Sequence, residues 1–411
     1  MEIKNKNILF LGVGGVSMHQ LALAFKSMGA KVFGYDKQEN LYTKKCKDCG
    51  ILVEKKLSKV NLNVDLCIKT AAIKNDNKIV EKLKANNVEI LDRAIALSFL
   101  CKQFKNVIAV AGTHGKSTTA ALIYHILKVA GKKVSCHIGA DILNAGFNLK
   151  DDYFVVEACE YNKSFLSLYP TLSVVTNIER EHMDSYKSFF NLKNAFTTFL
   201  KRGKDRFVFL EKSTQFLTKH KNINFVNVDN SLHPKIKGEY NLKNVSMAAS
   251  VARHLGIDER TIQKGIKSFA GIPRRFEYLG EKNNTKFYID YAHHPTEVKE
   301  FVSAFLHDNK NSKIVFQPHT YSRTKMLLKD FLEVFKNLDN LIIYKEYPAR
   351  ETKDKGLSAK QLYNEVKLIN PNVLYVEKVK DLNSHLRKIS AVAFVGAGDI
   401  NAVAKKIIKS N

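Results

Sequence analysis

The chain has 411 residues, 45% of them hydrophobic, and a formal charge of +26. That length suggests two or three domains with packed cores, and no apolar run approaches the roughly 20 residues of a membrane span, which argues against a membrane-spanning chain. Six cysteines are scattered rather than spaced as a disulfide framework, which fits a reducing cytosol. The lysines run through every segment instead of forming one basic block, so a solvated surface attractive to small anions is favoured over a nucleic-acid binder.

The N-terminal stretch MEIKNKNILFLGVGG enters a strand directly, so no signal peptide is expected. Residues 1–100 alternate short apolar runs (NILFLGV, KVFGYD, VDLCIKT, VEIL) with helical patterns, the signature of a parallel sheet. Gly12, Gly14 and Gly15 fall between the first strand and a helix, and Asp36 ends the next strand. This is the layout of a dinucleotide fold, with phosphate on the helix N-terminus and an acid on the ribose. Ser17 holds the third glycine position, so the fingerprint is imperfect, and a ligand-free strand-to-helix turn remains an alternative. KKCKDCG (Cys46, Cys49) has metal-type spacing without a second pair and reads as two free cysteines.

Residues 101–271 open with the buried strand NVIAVAG and the loop Gly112-Thr113-His114-Gly115-Lys116-Ser117-Thr118, followed at once by a helix. Glycines let backbone amides close around phosphate oxygens, a lysine reaches the outer phosphates, and a serine hydroxyl is a Mg²⁺ ligand. The residue five before Gly115 is Val110, not the glycine of a Walker loop, and a capped helix start with an exposed lysine is the plainer alternative. YFVVEACEYN sets Glu157 at a strand's carboxyl end, and LSVVTNIEREHMD does the same for Glu179, Glu181, His182 and Asp184. Ligand groups gather at such ends, and Mg²⁺ takes oxygen ligands, so Glu157 is a candidate metal ligand and His182 a less expected one. The third segment, residues 272–411, carries the strands KFYIDYA, KIVFQP, NLIIYKEY and AVAFVGAG.

The ordered set GTHGKSTT, VVEACEYNKSF, VVTNIEREHMD, GEYNLKNVSMAA, GIPRRFEYLG, IDYAHHPTE and VFQPHTYSRTK resembles the Mur ligase family over essentially the whole chain. The resemblance implies an α/β protein of three domains. These are an N-terminal Rossmann-like UDP-substrate domain (1–100), a central P-loop ATPase domain with a parallel sheet (101–271), and a C-terminal Rossmann-like amino-acid domain (272–411). It implies a cytoplasmic enzyme of peptidoglycan precursor synthesis that consumes ATP with Mg²⁺. The lactyl carboxylate of UDP-N-acetylmuramate is phosphorylated to an acyl phosphate, which the amine of L-alanine attacks.

Carried over by position, the family's roles give Lys116, His114, Glu157, His182 and His293 as catalytic residues and Ser117, Glu157 and His182 as metal residues. Gly112 to Thr118, Asn241, Asn244, Arg275 and Asp290 would serve ATP, with Arg274 and Arg275 as an interdomain basic pair. Gly14, Gly15, Val16, Asp36, Thr70 and Arg93 would serve the UDP-substrate. Tyr291, His293 and Arg323 would line the amino-acid pocket, where a guanidinium suits a carboxylate. Cys159, Lys69-Thr70 and Thr320 depart from the family pattern. No carbamylated lysine is assigned to Lys193. The partners are three small molecules, with neither nucleic acid nor membrane; homo-oligomerisation is left open. A family member that takes a preformed peptide, an NAD-dependent dehydrogenase resting on Gly12 to Asp36 alone, and a nucleic-acid binder resting on charge are the alternatives.

Overall fold

The computed structural model describes residues 2–142, 147–349, 351–353, 356–386 and 388–409. They form two compact units, Met1–His233 with Lys243–Phe269, and Pro234–Leu242 with Ala270–Asn411. None of the described helices is long and apolar enough to cross a membrane.

The first unit contains two parallel sheets. Strands β1 (Asn7–Leu11), β2 (Lys31–Tyr35), β3 (Leu52–Glu54), β4 (Leu66–Lys69) and β5 (Glu89–Asp92) line up in the order β3-β2-β1-β4-β5. Strand order reverses between β1 and β4, so a crevice opens beyond their carboxyl ends. There Leu11 pairs with Lys69, which brings the glycine turn after β1 beside Thr70. Helices α1 (Val16–Ser27) and α2 (Leu41–Asp48) follow β1 and β2. Asn40 caps α2 through a capping box with Thr43, satisfying amides that the helix start would otherwise leave open.

The second sheet holds β6 (Asn106–Ala111), β7 (Val134–His137), β8 (Tyr153–Glu157), β9 (Leu172–Val175), β10 (Asp205–Phe209) and β11 (Asn224–Val226) in the order β11-β10-β9-β6-β8-β7. The run VIAVA of β6 is wholly buried, as a parallel strand covered on both faces requires. Val110 pairs with Glu157 and Ala111 with Val175, so the loops after β6, β8 and β9 leave the sheet side by side. That register gathers the glycine loop, Glu157 and the 176–182 segment at one edge.

The second unit is built on β12 (Glu277–Lys282), β13 (Thr285–Asp290), β14 (Ser312–Phe316), β15 (Leu341–Tyr344), β16 (Leu374–Val376) and β17 (Ala391–Val395), ordered β12-β13-β17-β14-β15-β16. Only the β12–β13 pairing is antiparallel, with a register shift between Tyr278 and Gly280. One face rests on the phenylalanines Phe301, Phe305, Phe316, Phe331 and Phe335, all essentially buried. Truncating any of these to alanine costs about 3–5 kcal/mol.

Each strand expected from the sequence forms. The unexpected ones are short (β3, β7, β11, β16) or an antiparallel edge (β12), where three to six residues leave little periodicity to read.

Candidate active site

The turn after β1 is held by its own neighbours. Gly12 has φ +84, and a Cβ there would meet the Thr70 Cγ2 at 2.5 Å. The Asp36 carboxylate accepts from Gly14 N at 2.9 Å and Gln38 N at 3.1 Å, and Asn40 Nδ2 donates to Gly14 O at 3.0 Å. Gly15 precedes α1, which starts at Val16 without a side-chain cap, leaving its first amides open to an anion. Arg93, at the start of the helix Arg93–Cys101, donates from Nη1 to Ser17 Oγ at 3.1 Å. Gly14, Gly15, Val16, Asp36, Thr70 and Arg93 therefore meet around one turn, with Asp36 bracing it.

At the second turn, Gly112 (φ +145) and Gly115 (φ +79) adopt backbone that side chains resist. A Cβ on Gly112 would stand 1.9 Å from Thr176 Oγ1. Helix Lys116–Val129 begins immediately, with Thr118 buried in its first turn. Asn177 Oδ1 accepts from His114 N at 2.8 Å, and Glu179 N donates to Thr113 Oγ1 at 2.8 Å. The His114 imidazole Nε2 is 3.3 Å from Glu179 Oε2. Ser117 Oγ donates to Glu157 Oε2 at 2.8 Å, and the same oxygen accepts from Gly139 N at 2.8 Å.

Lys116 folds back over its own loop, donating from Nζ to Gly112 O (2.5 Å), Thr113 O (3.0 Å) and Glu160 Oε1 (3.1 Å). Burial works against the ammonium, but surrounding anions, Glu160 foremost, outweigh it and hold its pKa above the usual lysine range. Glu160 is 2% exposed, and its Oε2 is buried with no hydrogen-bond partner among the described residues. Burial pushes its carboxyl up, against the pull of Lys116 and His182. His182, in left-handed backbone at φ +56, sets Nε2 at 3.7 Å from Glu160 Oε1 and 3.9 Å from Glu181 Oε2.

The donor set suits Mg²⁺, which takes oxygen ligands and relies on one or two protein groups plus substrate phosphates. Ser117 and Glu157 already share a contact, and the unsatisfied Glu160 Oε2 is an atom that a cation would satisfy. Glu160, Glu181 and His182 offer ligand atoms within 4.8 Å of one another. Lys193 points elsewhere: its Nζ lies 4.7 Å from both the Phe189 and Phe216 rings. Asn244 accepts from Thr119 Oγ1 at 3.2 Å, and its Oδ1 would stand 2.3 Å from a Cβ on Gly115.

In the second unit, Asn241 donates to Lys237 O at 2.6 Å. Asp290 ends β13 and accepts from Phe276 N and Ala292 N, both at 2.7 Å. Burial pushes its carboxyl up to about 6, opposed by Arg275 and those two amides. Tyr291 carries both arginines on its ring, Arg274 at 4.6 Å and Arg275 at 5.1 Å. Arg274 also donates to Gly398 O at 3.0 Å, while Arg275 faces Glu297 at 3.6 Å. His293 Nδ1 lies 3.0 Å from Tyr291 O and 3.3 Å from Glu297. Its ring is 5.7 Å from that of His319, which lies 5.7 Å from the Tyr347 ring at 17°. Arg323 Nη1 is 2.9 Å from His319 Nδ1. His293 and Arg323 thus flank His319, with the Tyr291 ring 5.3 Å from that of His293.

Glu160, His319 and Glu297 escape the sequence reading. Glu160 stands three residues after Glu157 in the same motif. The short turn Tyr161–Ser167 follows it, with Asn162 and Lys163 at positive φ.

Three family models match the chain: the Mur ligase family catalytic domain over residues 7–105, the Mur ligase middle domain over 110–231, and the Mur ligase glutamate ligase domain over 274–401. UDP-N-acetylmuramate–L-alanine ligases of Caldicellulosiruptor bescii and Clostridium tetani are each 35% identical. The first alignment covers 97% of this chain and 98% of the relative, the second 98% of both. The UDP-N-acetylmuramate-alanine ligase of Thermotoga maritima shares the fold with a TM-score of 0.84 at 23% identity, over 98% of this chain and 99% of that one. A murein peptide ligase of Psychrobacter arcticus gives 0.73 at 20% identity, over 98% of each. With three family models along its length and relatives at this identity over nearly all of it, the chain belongs to the Mur ligase family.

Proposed function

We infer that the chain is an ATP-dependent ligase joining L-alanine to the lactyl carboxylate of UDP-N-acetylmuramate, in peptidoglycan precursor synthesis. The relatives of matching length carry that activity in their names. The observation that carries the reading within this molecule is the second turn, where Lys116 and Ser117 meet Glu160 and Glu157.

The chemistry proceeds in two transfers. A lactyl carboxylate oxygen bonds to the γ-phosphorus of ATP while the bond to the β-phosphate oxygen breaks, releasing ADP. The alanine nitrogen then bonds to the acyl carbon, the carbon–oxygen bond to phosphate breaks, and the amine loses its protons to solvent or a nearby base. Both steps crowd anions together, so preorganised cations lower the barrier. Lys116 supplies a fixed ammonium, the first amides of the helix Lys116–Val129 supply partial charge, and His114 stands where the loop would meet the carboxylate. Mg²⁺, held by Ser117 and Glu157 with His182 nearby, would neutralise phosphate charge. Asn241, Asn244, Arg275 and Asp290 serve the nucleotide in this reading. Gly14, Gly15, Val16, Asp36, Thr70 and Arg93 serve the UDP-sugar.

Residues 1–100, 101–271 and 272–411 divide the labour between UDP-sugar, ATP and amino acid. Arg323 takes the alanine carboxylate, while Tyr291 and His293 shape the pocket. In this reading the reaction runs in the cytoplasm, where ATP and nucleotide sugars are at hand. Phosphate release assayed with L-alanine against a tripeptide tests the reading; release with tripeptide alone would overturn it.

A further inference from the structure

The two Gly-rich turns of the first unit are joined by a continuous set of hydrogen bonds. Ser17, second residue of α1, has its hydroxyl 2.8 Å from His137 Nε2 while accepting from Arg93. One turn further along α1, Gln20 clasps the next residue of the central sheet. Its Nε2 donates to Ile138 O at 2.9 Å and its Oε1 accepts from Ile138 N at 3.2 Å. Gly139 then donates to Glu157 Oε2, the oxygen that also accepts from Ser117. A Cβ on Gly139 would lie 2.9 Å from that oxygen, so strand end and carboxylate are pressed together. Lys45 of α2 bonds Asp141 at 2.6 Å and ties the same loop a third time.

His137 is 4% exposed, and burial keeps its imidazole neutral. A cavity of about 170 Å³ borders this seam, lined by His19, Gln20, Lys45, His137, Asp141 and Phe147 among others. Such space leaves Gln20 and His137 room to shift, while Gly139 has none.

We propose that His137 and Gln20 are positioning residues that couple occupancy of the UDP-sugar turn to the placement of Glu157. The proposal rests on the functional reading above. A diphosphate at the open start of α1 draws Arg93 and the Ser17 hydroxyl toward itself. Either movement alters the bond to His137, and the 137–139 segment, clasped by Gln20, carries the change to Glu157 and so to Ser117. Coupling of this kind is reciprocal: UDP-sugar tightens Mg²⁺-nucleotide binding by the factor by which the nucleotide tightens UDP-sugar binding.

The test is calorimetric titration of the full chain with a non-hydrolysable ATP analogue and Mg²⁺, with and without saturating UDP-N-acetylmuramate. The wild-type chain should show a ratio of dissociation constants of at least about 5, the lower range for coupled sites. His137→Phe and Gln20→Met, which keep volume but remove the bonds, should bring the ratio below about 2, with nucleotide affinity in the absence of UDP-sugar within about twofold of wild type. A purely structural role would change that affinity and the melting temperature while leaving the ratio intact. Wild-type coupling retained in both variants, or a ratio near 1 in the wild type, overturns the proposal. If either variant fails to fold, Gln20→Glu, which removes the Nε2 bonds to Ile138 O and Ala140 O and keeps an acceptor for Ile138 N, decides by the same ratio. Absence of any UDP-sugar binding to the wild-type chain would instead defeat the functional reading itself.

Discussion

Lys116 and Glu160 hold each other inside the first unit, Nζ to Oε1 at 3.1 Å, with the two side chains 14% and 2% exposed. An ion pair so placed is a poor source of stability, but breaking it from one side leaves the other charge stranded at a cost of about 3–5 kcal/mol. Lys116→Ala should therefore lower both turnover and stability, for different reasons. Turnover should fall at least about 10²-fold, as when a preorganised charge is removed, while UDP-N-acetylmuramate still binds. Adding Glu160→Gln to that variant should restore most of the lost stability and none of the turnover. Denaturant unfolding and phosphate release on the four members of the cycle separate the two effects. Near-normal turnover in Lys116→Ala would refute the assigned role.

Arg323 pairs with His319 at 2.9 Å, and the His319 ring lies 5.7 Å from that of His293. A guanidinium held this way is directed before its ligand arrives, so little rotamer freedom remains to be lost on binding. Arg323→Ala should raise the KM for alanine about 10–100-fold, the value of one charge-assisted hydrogen bond of about 1.5–3 kcal/mol. The KM for ATP should stay within about twofold. Initial rates against each substrate decide the matter, and equal increases in both would remove Arg323 from carboxylate recognition.

What the sequence reveals is largely what strand ends dictate. Gly112 to Thr118, Glu157 and the 179–182 segment sit at the carboxyl ends of β6, β8 and β9, and parallel pairing forces such ends together. The positions of Glu160 and His319 depend on a turn instead of a strand end. Glu160 meets Lys116 just before left-handed backbone at Asn162 and Lys163. His319 is turned toward Arg323 next to Thr320, whose φ of +67 is costly for a β-branched residue. Lys163 and Thr320 give no sign of such backbone in residue type; asparagine, as at Asn162, adopts it more readily than most. The coupling through His137 was hidden for another reason: β7 is four residues long, and VSCH has no periodicity to separate a strand from a loop.

Glu157 accepts from both Ser117 and Gly139 on one oxygen, leaving the other to face an ion. Removing even an outer partner of a metal ligand typically costs about 10–100-fold in affinity or activity, and a direct ligand at least as much. Glu157→Ala should raise the Mg²⁺ concentration needed for half-maximal activity by about that factor, and chelation should abolish activity in the wild-type chain, with recovery on adding Mg²⁺ back. A Mg²⁺ titration at saturating substrates measures the shift. An unchanged half-maximal concentration in Glu157→Ala would place the ion elsewhere.

Asp290 gives a pH dependence with a definite sign. Its carboxyl is pushed up to about 6 by burial, above the usual range near 4, so the folded chain holds the proton more tightly than the unfolded chain does. Protonation therefore favours the fold. This contribution is fully present below about pH 4 and is lost as pH rises through about 6; two pKa units correspond to about 3 kcal/mol. Asp290→Asn cannot titrate, so the stability of the wild-type chain relative to that variant should fall by about 3 kcal/mol between pH 4 and pH 7. Urea unfolding of both proteins at several pH values across that window supplies the difference directly. A difference that stays flat, or that grows in favour of wild type with rising pH, would mean that Asp290 is held as a fully compensated anion at the end of β13.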